Sequence, residues 1–178
     1  MPSATQELAA RTAGAMISYD PNIRLHMWKD RDEALEWAAR MIPKSDVLKV
    51  SDDETDLLLK TRDPAIASQE LLKRGPRLVL VTLGARGAYF ACAAGSGRVP
   101  APKVNAIDTT GAGDAFVAGL LRGIIDLGEQ PFVEVEGVRK VVRTACAAAA
   151  LTTEAIGAVA ALPDLTTLNA AMAGRFSK

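Results

Sequence analysis

The sequence contains one histidine, His26, and two cysteines, Cys92 and Cys146, among 178 residues. A single histidine excludes metal sites built from several histidines and leaves little room for a Ser-His-Asp triad. The cysteines stand far apart in alanine-rich apolar segments, without the spacing of a zinc site or a disulfide framework. They are therefore expected to be buried free thiols in a reducing compartment.

An excess of charge of one sign is also lacking, because 21 basic and 21 acidic residues give a formal net charge of zero. No basic stripe favours nucleic acid, and no basic amphipathic helix favours a membrane surface. No apolar run approaches the length of a membrane span, and the first residues lack a secretory signal pattern. We expect a soluble, cytoplasmic protein without nucleic-acid or membrane partners.

Apolar sequence, in contrast, is plentiful: hydrophobic residues make up 49% of the chain, enough for the core of a single α/β domain over residues 1–178. Short apolar runs bounded by turn residues predict strands at 15–19, 47–50, 78–82 and 88–91, with a further short strand within 95–103. Longer segments with helical patterns predict helices at 4–13, 30–41, 64–73, 111–127 and 135–151.

The most informative stretch runs from Asp108 to Phe116 and reads Asp-Thr-Thr-Gly-Ala-Gly-Asp-Ala-Phe. A helix start presents N–H groups without partners, and the glycines Gly111 and Gly113 let a phosphate approach them closely. Asp114 could accept a proton from an attacking hydroxyl while the amides of 112–114 hold the charge on a phosphoryl group. A purely structural alternative stays open, because an aspartate in the first turn also stabilises a helix.

A dinucleotide-binding turn is a further alternative, because Gly111-x-Gly113 superficially matches part of that fingerprint. The third glycine is missing, as is an acidic residue about twenty positions on in a βαβ unit. This alternative is therefore disfavoured.

The whole nine-residue block resembles the signature of the ribokinase-like (PfkB) carbohydrate kinases. Four other segments are similar to the fructokinase branch of that family. They are the Asp-Pro-Asn-x-Arg segment within 18–24, the strand and turn at 46–54, the nucleotide loop at 81–89, and the closing segment from 152–158 to Leu162-Pro163. The resemblance runs from about residue 9 to the end of the chain.

This resemblance implies an α/β fold with a ribokinase-like, doubly wound, mostly parallel sheet and helices on both faces. No Gly-x-Gly-x-Asn opening and no lid-like strand pattern is present. We therefore expect the C-terminal, nucleotide-binding and catalytic half of such a kinase, lacking the N-terminal strands and lid. An apolar strand edge at 15–19 would then favour a homo-oligomer or a complementary N-terminal chain.

The resemblance also implies an activity: transfer of the ATP γ-phosphoryl group to a sugar hydroxyl, with fructose as the expected acceptor. ATP and Mg²⁺ are the implied cofactors, and K⁺ is a further implied ion. Asp114 would be the base, with Gly111, Ala112 and Gly113 as the anion hole. A non-catalytic remnant or interaction module that keeps the nucleotide-binding fold stays open as the alternative.

Nucleotide contacts are implied for Thr82, Gly84 and Gly87 in the loop after a strand, although a simple glycine-rich hairpin would explain the same residues. Ala147 and Ala150 lie on a small-residue helix face. That face would suit either an adenine or tight helix packing, and both interpretations stay open.

Asn22 and Arg24 are expected to bind substrate by facing a phosphate beyond a strand end, with plain turn chemistry as the alternative. Ser51 and Glu54 have the spacing of a capping box. By resemblance, Glu54 helps to organise Mg²⁺ and phosphates, and Ser51 stands where the family has asparagine. Backbone oxygens of Asp108 and Thr110, with the loop at 152–158, are implied to hold a monovalent cation, and Thr110 also to contact the nucleotide.

Overall fold

The structure, a computed structural model, describes residues 15–128 and 132–177. The helix predicted at 4–13 lies outside the described residues. The strands are β1 (Ser18–Tyr19), β2 (Val47–Ser51), β3 (Leu78–Thr82), β4 (Ala88–Cys92) and β5 (Gly95–Val99). The α-helices are α1 (Arg31–Met41), α2 (Asp52–Leu59), α3 (Pro64–Leu72), α4 (Ala112–Leu127), α5 (Val135–Thr152) and α6 (Leu165–Ala173). Short 3₁₀ turns occur at Leu25–Met27, Ile42–Lys44 and Gly84–Arg86.

The five strands form one sheet in the order β1-β2-β3-β4-β5. β1 pairs in parallel with β2, and β2 in parallel with β3, in a register that sets Val47 opposite Leu78 and Ser51 opposite Thr82. Only five residues separate β3 from β4, too few for a parallel crossover, so the sheet is mixed. The expected open α/β fold is confirmed.

Strand β1 is shorter and more exposed than predicted. The sequence suggested a buried strand at 15–19, whereas only Ser18 and Tyr19 pair, and both are half-buried. The Ile17 carbonyl accepts from the N–H groups of both Asp46 and Val47, at 2.8 and 3.1 Å. The Ile17 N–H donates to the Asp46 carboxylate instead of to a strand. The regular β1-β2 pairing therefore begins at Ser18, the residue after Ile17.

The described residues form two compact units: one comprises 15–82 with 91–93, and the other comprises 83–90 with 94–128 and 132–177. In the first unit β2 and β3 are almost wholly apolar and buried, as expected for strands covered on both faces. The helices of this unit begin at side-chain caps of the residue types that favour this position: Asp30 for α1, Ser51 for α2 and Asp63 for α3.

Helices α4 and α5 pack closely in the second unit. A Cβ added to Gly119 would lie 3.0 Å from the Ala148 Cβ, and one added to Gly123 would lie 2.9 Å from the Val141 Cγ1. The small side chains at Ala145 and Ala148 thus allow close helix approach, one of the two uses expected for this face.

Helix α6 was not predicted. Asp164 caps it, accepting from the Thr167 N–H at 2.7 Å. Only Leu168 and Ala171 of its residues are buried, too few for a clear helical period. They join Ala147, Leu151 and Phe176 in an apolar cluster.

The expected thiol state is confirmed, because Cys92 and Cys146 are buried and neither forms a disulfide within the described residues. Burial raises the pKa of the Cys146 thiol to about 12. Within 15–128 and 132–177 no helix is both long and apolar enough to cross a membrane.

Candidate active site

The glycine turn before α4 has a conformation that requires glycine. Gly111 is the N-cap residue, with φ of 80° in the left-handed region. A Cβ at this position would lie 3.0 Å from both the Cα and the Cβ of Ala158. Gly111 therefore combines a left-handed backbone with a close approach to a neighbouring loop. The helix begins at Ala112, one residue later than predicted.

Unpaired backbone donors lie in the first turn of α4. The Ala112 N–H donates to the Thr109 carbonyl at 3.2 Å, and the Ala115 N–H to the Gly111 carbonyl at 2.9 Å. The N–H groups of Gly113 and Asp114 have no acceptor in the part of the chain that the structure describes. Since N–H groups at a helix start carry partial positive charge, these two are suited to an anion.

The Asp114 side chain is exposed beside those donors, whereas the next two residues, Ala115 and Phe116, are buried. No hydrogen bond or ion pair engages its carboxylate within the described ranges. The acid therefore does not point into the core, and it is free to accept a proton from a bound hydroxyl.

Asp108 ties the glycine turn to the loop after α5. Its Oδ1 accepts from the Thr110 N–H at 2.9 Å, and its Oδ2 from the Gly157 N–H at 3.0 Å. These hydrogen bonds lower the pKa of the Asp108 carboxyl to about 2, and the one from Gly157 has the largest effect. The Thr153 carbonyl completes the connection by accepting from the N–H groups of Ile107 and Asp108, at 2.7 and 3.2 Å.

The residues of this turn fit the monovalent cation that the resemblance implied. The backbone carbonyls of Asp108 and Thr110 accept no backbone hydrogen bond from any described residue. They therefore remain available as oxygen ligands, next to a carboxylate that stays charged.

The two glycines of the loop after β3 have different surroundings. Both have positive φ, 56° at Gly84 and 91° at Gly87. A Cβ on Gly87 would lie 2.0 Å from the Val99 carbonyl oxygen, whereas one on Gly84 would have nothing within 4 Å. Backbone packing thus accounts for Gly87, while Gly84 borders open space that a ligand could occupy.

The remaining residues predicted to contact nucleotide have identifiable structural partners. Thr82 donates its hydroxyl to the Val50 carbonyl on the neighbouring strand at 3.3 Å. Ala147 has no exposed surface and belongs to the apolar cluster with α6, and Ala150 is buried as well. Helix packing accounts for both alanines, and their contact with adenine stays a prediction.

The predicted capping box at the start of α2 is confirmed. Glu54 is buried, and its Oε2 accepts from the N–H and the hydroxyl of Ser51, at 2.8 and 3.0 Å. Its Oε1 accepts from the Ile23 N–H at 2.7 Å, a long-range contact that the sequence did not reveal. Glu54 therefore joins the end of β1 to the β2-α2 connection, beyond capping its own helix.

Asn22 and Arg24 lie on the exposed turn that follows β1. Asn22 has φ of 46°, which is uncommon for a residue other than glycine. The Arg24 guanidinium has no ion-pair or hydrogen-bond partner among residues 15–128 and 132–177. Both side chains are thus accessible to a ligand.

A buried ion pair at the base of this turn was missed by sequence reasoning. Lys49 donates from Nζ to the Asp20 Oδ2 at 2.9 Å, with 9% and 19% of the two side chains exposed. The Asp20 Oδ1 is buried and has no hydrogen-bond partner among the described residues. A lysine inside the apolar run at 47–50 was the available signal, because a buried ammonium requires a partner.

Burial controls ionisation around this pair. Burial raises the pKa of the Asp20 carboxyl. The Lys49 ammonium lowers that pKa, and so does the nearby Asn22 N–H, although this N–H does not meet the geometry of a hydrogen bond. Burial also raises the pKa of Tyr19 to about 12, with the charges of Glu54 and Asp20 adding to the effect.

No group of three side chains suited to a metal occurs in the described residues. Mg²⁺ in nucleotide sites is held by one or two carboxylates together with phosphate oxygens and water. Such a site does not require three protein ligands, so the arrangement around Glu54 remains compatible with Mg²⁺.

Comparison with known proteins gives concordant results. The pfkB family carbohydrate kinase profile matches residues 1–165. A putative fructokinase-8 from Arabidopsis thaliana is 43% identical over 162 residues, covering 90% of this chain and 75% of the relative. For other curated relatives the chain spans about half their length, 45% of one and 47% of another.

Solved structures agree. Vibrio cholerae fructokinase, a double mutant with fructose, ADP and potassium ion bound, has a TM-score of 0.83 and 34% identity, over 93% of this chain and 54% of that one. Aminoimidazole riboside kinase from Salmonella enterica, with its riboside and an ATP analogue, has a TM-score of 0.79 and 34% identity, over 97% and 56%. Other matched structures hold calcium, or ATP with magnesium. The chain therefore belongs to the pfkB family of carbohydrate kinases.

Proposed function

We propose that this chain carries the nucleotide-binding and phosphoryl-transfer part of an ATP-dependent, fructokinase-like sugar kinase. The observation that supports it most is the first turn of α4, where an exposed, unpaired Asp114 stands beside the free N–H groups of Gly113 and Asp114. One group can take a proton while the others hold negative charge, and phosphoryl transfer to an alcohol needs both.

In this mechanism the Gly111 turn and the unpaired amides of Gly113 and Asp114 receive the transferring phosphoryl group, whereas the Ala112 N–H, also expected in the anion hole, already donates to the Thr109 carbonyl. The amides are oriented by the helix before substrate arrives, so little reorganisation accompanies the reaction. Asp114 accepts the proton of the sugar hydroxyl as that oxygen attacks the γ-phosphorus of ATP. The bond from the γ-phosphorus to the bridging oxygen breaks, and ADP leaves with that oxygen.

The ions have separate roles in the proposal. Mg²⁺ would offset the charge of the nucleotide phosphates, with Glu54 helping to hold its water shell and Ser51 fixing the carboxylate. The backbone oxygens of Asp108 and Thr110 would hold K⁺ next to the anion hole. Potassium in the Vibrio cholerae fructokinase structure supports that choice of ion.

The nucleotide contacts follow the open positions of the fold. Gly84, whose surroundings are open, is the favoured phosphate neighbour in the loop after β3, with Thr82 and Gly87 shaping that loop. Ala147 and Ala150 remain the proposed boundary of the adenine site. Arg24 and Asn22 are proposed to face a phosphate.

Fructose is the proposed acceptor. The names of the curated relatives and the fructose in the Vibrio cholerae structure support it. An aminoimidazole riboside kinase matches at the same identity as that fructokinase. The acceptor test should therefore include that riboside and ribose beside fructose. A cytoplasmic location and a homo-oligomer or complementary N-terminal chain remain part of the proposal.

Replacement of the proposed base tests the function. Wild type, Asp114→Asn and a control, Asp126→Asn at the other end of α4, are compared in ATP·Mg²⁺ binding and in ADP release with fructose. The assay uses the chain alone and with an added N-terminal half. We expect Asp114→Asn to lose turnover by about 10²–10⁴-fold with binding retained, and the control to match wild type.

Unchanged turnover in Asp114→Asn would remove Asp114 as the base. Binding of ATP·Mg²⁺ by wild type without turnover under every condition would instead favour the alternative, a non-catalytic module that keeps the nucleotide-binding fold. Turnover by wild type distinguishes these two outcomes: it is present in the first and absent in the second.

A further inference from the structure

An ion pair connects the segment that follows α6 to the loop that follows α5. The Arg175 guanidinium donates from Nη1 to the Glu154 Oε1 at 3.0 Å and from Nη2 to the Glu154 Oε2. Two parallel hydrogen bonds between a guanidinium and a carboxylate fix direction as well as distance. The partners are 21 residues apart in sequence, and both belong to the second compact unit. The pair therefore joins two segments of one unit that are distant along the chain.

The Arg175 side chain is held in place by its surroundings. Its guanidinium lies over the ring of Phe176, 4.6 Å from the ring centroid. Phe176 is buried in the apolar cluster of α5 and α6. The Phe176 N–H donates to the Ala171 carbonyl at 2.9 Å, and Arg143 donates to the Phe176 carbonyl at 3.4 Å. Because a guanidinium stacked on a fixed ring has already lost much of its freedom, pairing with Glu154 costs little further entropy.

Glu154 stands at one end of a short, sparsely bonded part of the loop. The next two residues are both exposed, and Gly157 then donates its N–H to the Asp108 carboxylate at 3.0 Å. The backbone carbonyls of 154–156 accept no backbone hydrogen bond from any described residue. The Arg175–Glu154 pair and the Asp108–Gly157 contact thus hold the two ends of a span whose carbonyl oxygens are available to a ligand.

Global stability is a weak explanation for this ion pair. The side chains of Arg175 and Glu154 are 49% and 29% exposed, and exposed ion pairs contribute little to the free energy of unfolding because water and salt screen them. Local opening of an exposed loop, in contrast, needs far less free energy than unfolding. The effect of the pair is therefore expected in the loop and not in the fold as a whole.

We propose that Arg175 and Glu154 are positioning residues, whose ion pair holds the loop at 154–157 so that its carbonyl oxygens bind a monovalent cation together with those of Asp108 and Thr110. The proposal rests on the proposed function for its cation, but not for the hold on the loop. Each neutral carbonyl attracts the cation weakly, so its affinity depends on several oxygens being placed before it arrives. Arg175 acts through Glu154 and does not contact the ion.

The first test examines the loop without potassium, in choline chloride. Site-resolved amide hydrogen exchange is measured at Gly157 and, as an internal reference, at Val142 in the centre of α5. The variants are Glu154→Gln, Arg175→Gln and the two combined. Arg122→Gln, which removes an exposed ion pair on α4 in the same unit, is the control. We expect each single change to speed exchange at Gly157 about fivefold, and the combination to speed it no further.

Unchanged exchange at Gly157 in both single variants would overturn the positioning role. Multiplying effects in the combined variant would overturn the pair, because the two side chains would then act separately. Faster exchange at Val142 as well would overturn it too, because it would indicate general loosening of the unit. If Arg175→Gln does not fold, Glu154→Gln, which leaves Arg175 on the Phe176 ring, is judged by the same criterion.

The second test examines the cation. The ¹H–¹⁵N signal of Gly157 is followed while KCl replaces choline chloride at constant ionic strength, so that screening of the ion pair does not change. We expect the half-saturating K⁺ concentration to rise about fivefold in Arg175→Gln and in Glu154→Gln, and to match wild type in Arg122→Gln.

An unchanged half-saturating concentration in Arg175→Gln and Glu154→Gln would overturn the link between the pair and the cation. Absence of any K⁺ response in wild type would overturn that link as well. In that case exchange at Gly157 still decides whether the pair holds the loop, and turnover of the Asp114→Asn variant still decides the proposed function.

Discussion

The carboxylate of Asp108 accepts a hydrogen bond from the N–H of Gly157, 49 residues further along the chain, at 3.0 Å. Its other oxygen accepts from the Thr110 N–H within the glycine turn. One side chain, together with the Thr153 carbonyl, therefore holds the loop after α5 against the turn that begins α4. The proposed anion hole depends on this connection as well as on the helix start itself.

Replacement of Asp108 by alanine should release the loop. We expect the Gly157 and Thr110 amides to exchange faster with solvent, because both lose their acceptor, while amides in the centre of α4 keep their protection. Asp126→Ala, an exposed aspartate on α4 that pairs with Arg122, provides the control. Equal exchange at Gly157 in wild type and Asp108→Ala would show that other contacts hold the loop.

Alanine substitutions should separate the roles of Gly84 and Gly87. Gly87→Ala introduces a Cβ 2.0 Å from the Val99 carbonyl oxygen, and we expect a loss in the free energy of unfolding of about 3 kcal/mol or more. Gly84→Ala introduces no close contact, and its only cost is the left-handed backbone, which should lower the free energy of unfolding by about 1–2 kcal/mol. Denaturant unfolding measures both.

The Gly84→Ala variant also tests nucleotide binding. Gly84→Ala should weaken ATP·Mg²⁺ binding beyond its effect on stability, because its methyl group enters the open space of the loop. If Gly84→Ala binds nucleotide as wild type does, that space is not used by the ligand.

The Asp164 cap of α6 should make the stability of the protein depend on pH in the acidic range. Hydrogen bonding to the Thr167 N–H lowers the pKa of Asp164. A carboxyl whose pKa is lower in the folded state contributes stability above its unfolded pKa, about 3.9, and the contribution disappears as pH falls through the folded value. Melting curves of wild type and Asp164→Ala should therefore differ above about pH 4 and converge below it. A constant difference down to pH 2 would contradict the assignment.

Local sequence signals predicted much of this fold. β3 was predicted residue for residue, and the Ser51–Glu54 capping box was expected from spacing alone, because both depend on neighbouring residues. β1 was predicted too long, because Ile17 does not pair as a regular strand residue. Its N–H donates to the side chain of Asp46, 29 residues away, and its carbonyl accepts two hydrogen bonds. Local sequence does not reveal such a long-range contact. α6 was missed because a side-chain cap and one small apolar cluster support it, without a strong period.

The candidate site shows the same limit. Asp114 and the glycine turn could be identified because one continuous segment holds them. The Lys49–Asp20 pair and the Ile23–Glu54 contact could not, because pairing of β1 with β2 brings them together. Gly87 was assigned to the ligand, yet its surroundings give it a packing role that only the path of residues 99–101 reveals.

In the proposed function, the amides at the start of α4 hold the terminal phosphate of ATP. Its most direct test is a titration with ATP·Mg²⁺ that follows the ¹H–¹⁵N signals of Gly113 and Asp114, with ADP·Mg²⁺ as the comparison. We expect both signals to shift with the dissociation constant found by calorimetry, and to shift further with ATP than with ADP. Saturation of nucleotide binding with both signals unmoved would contradict it.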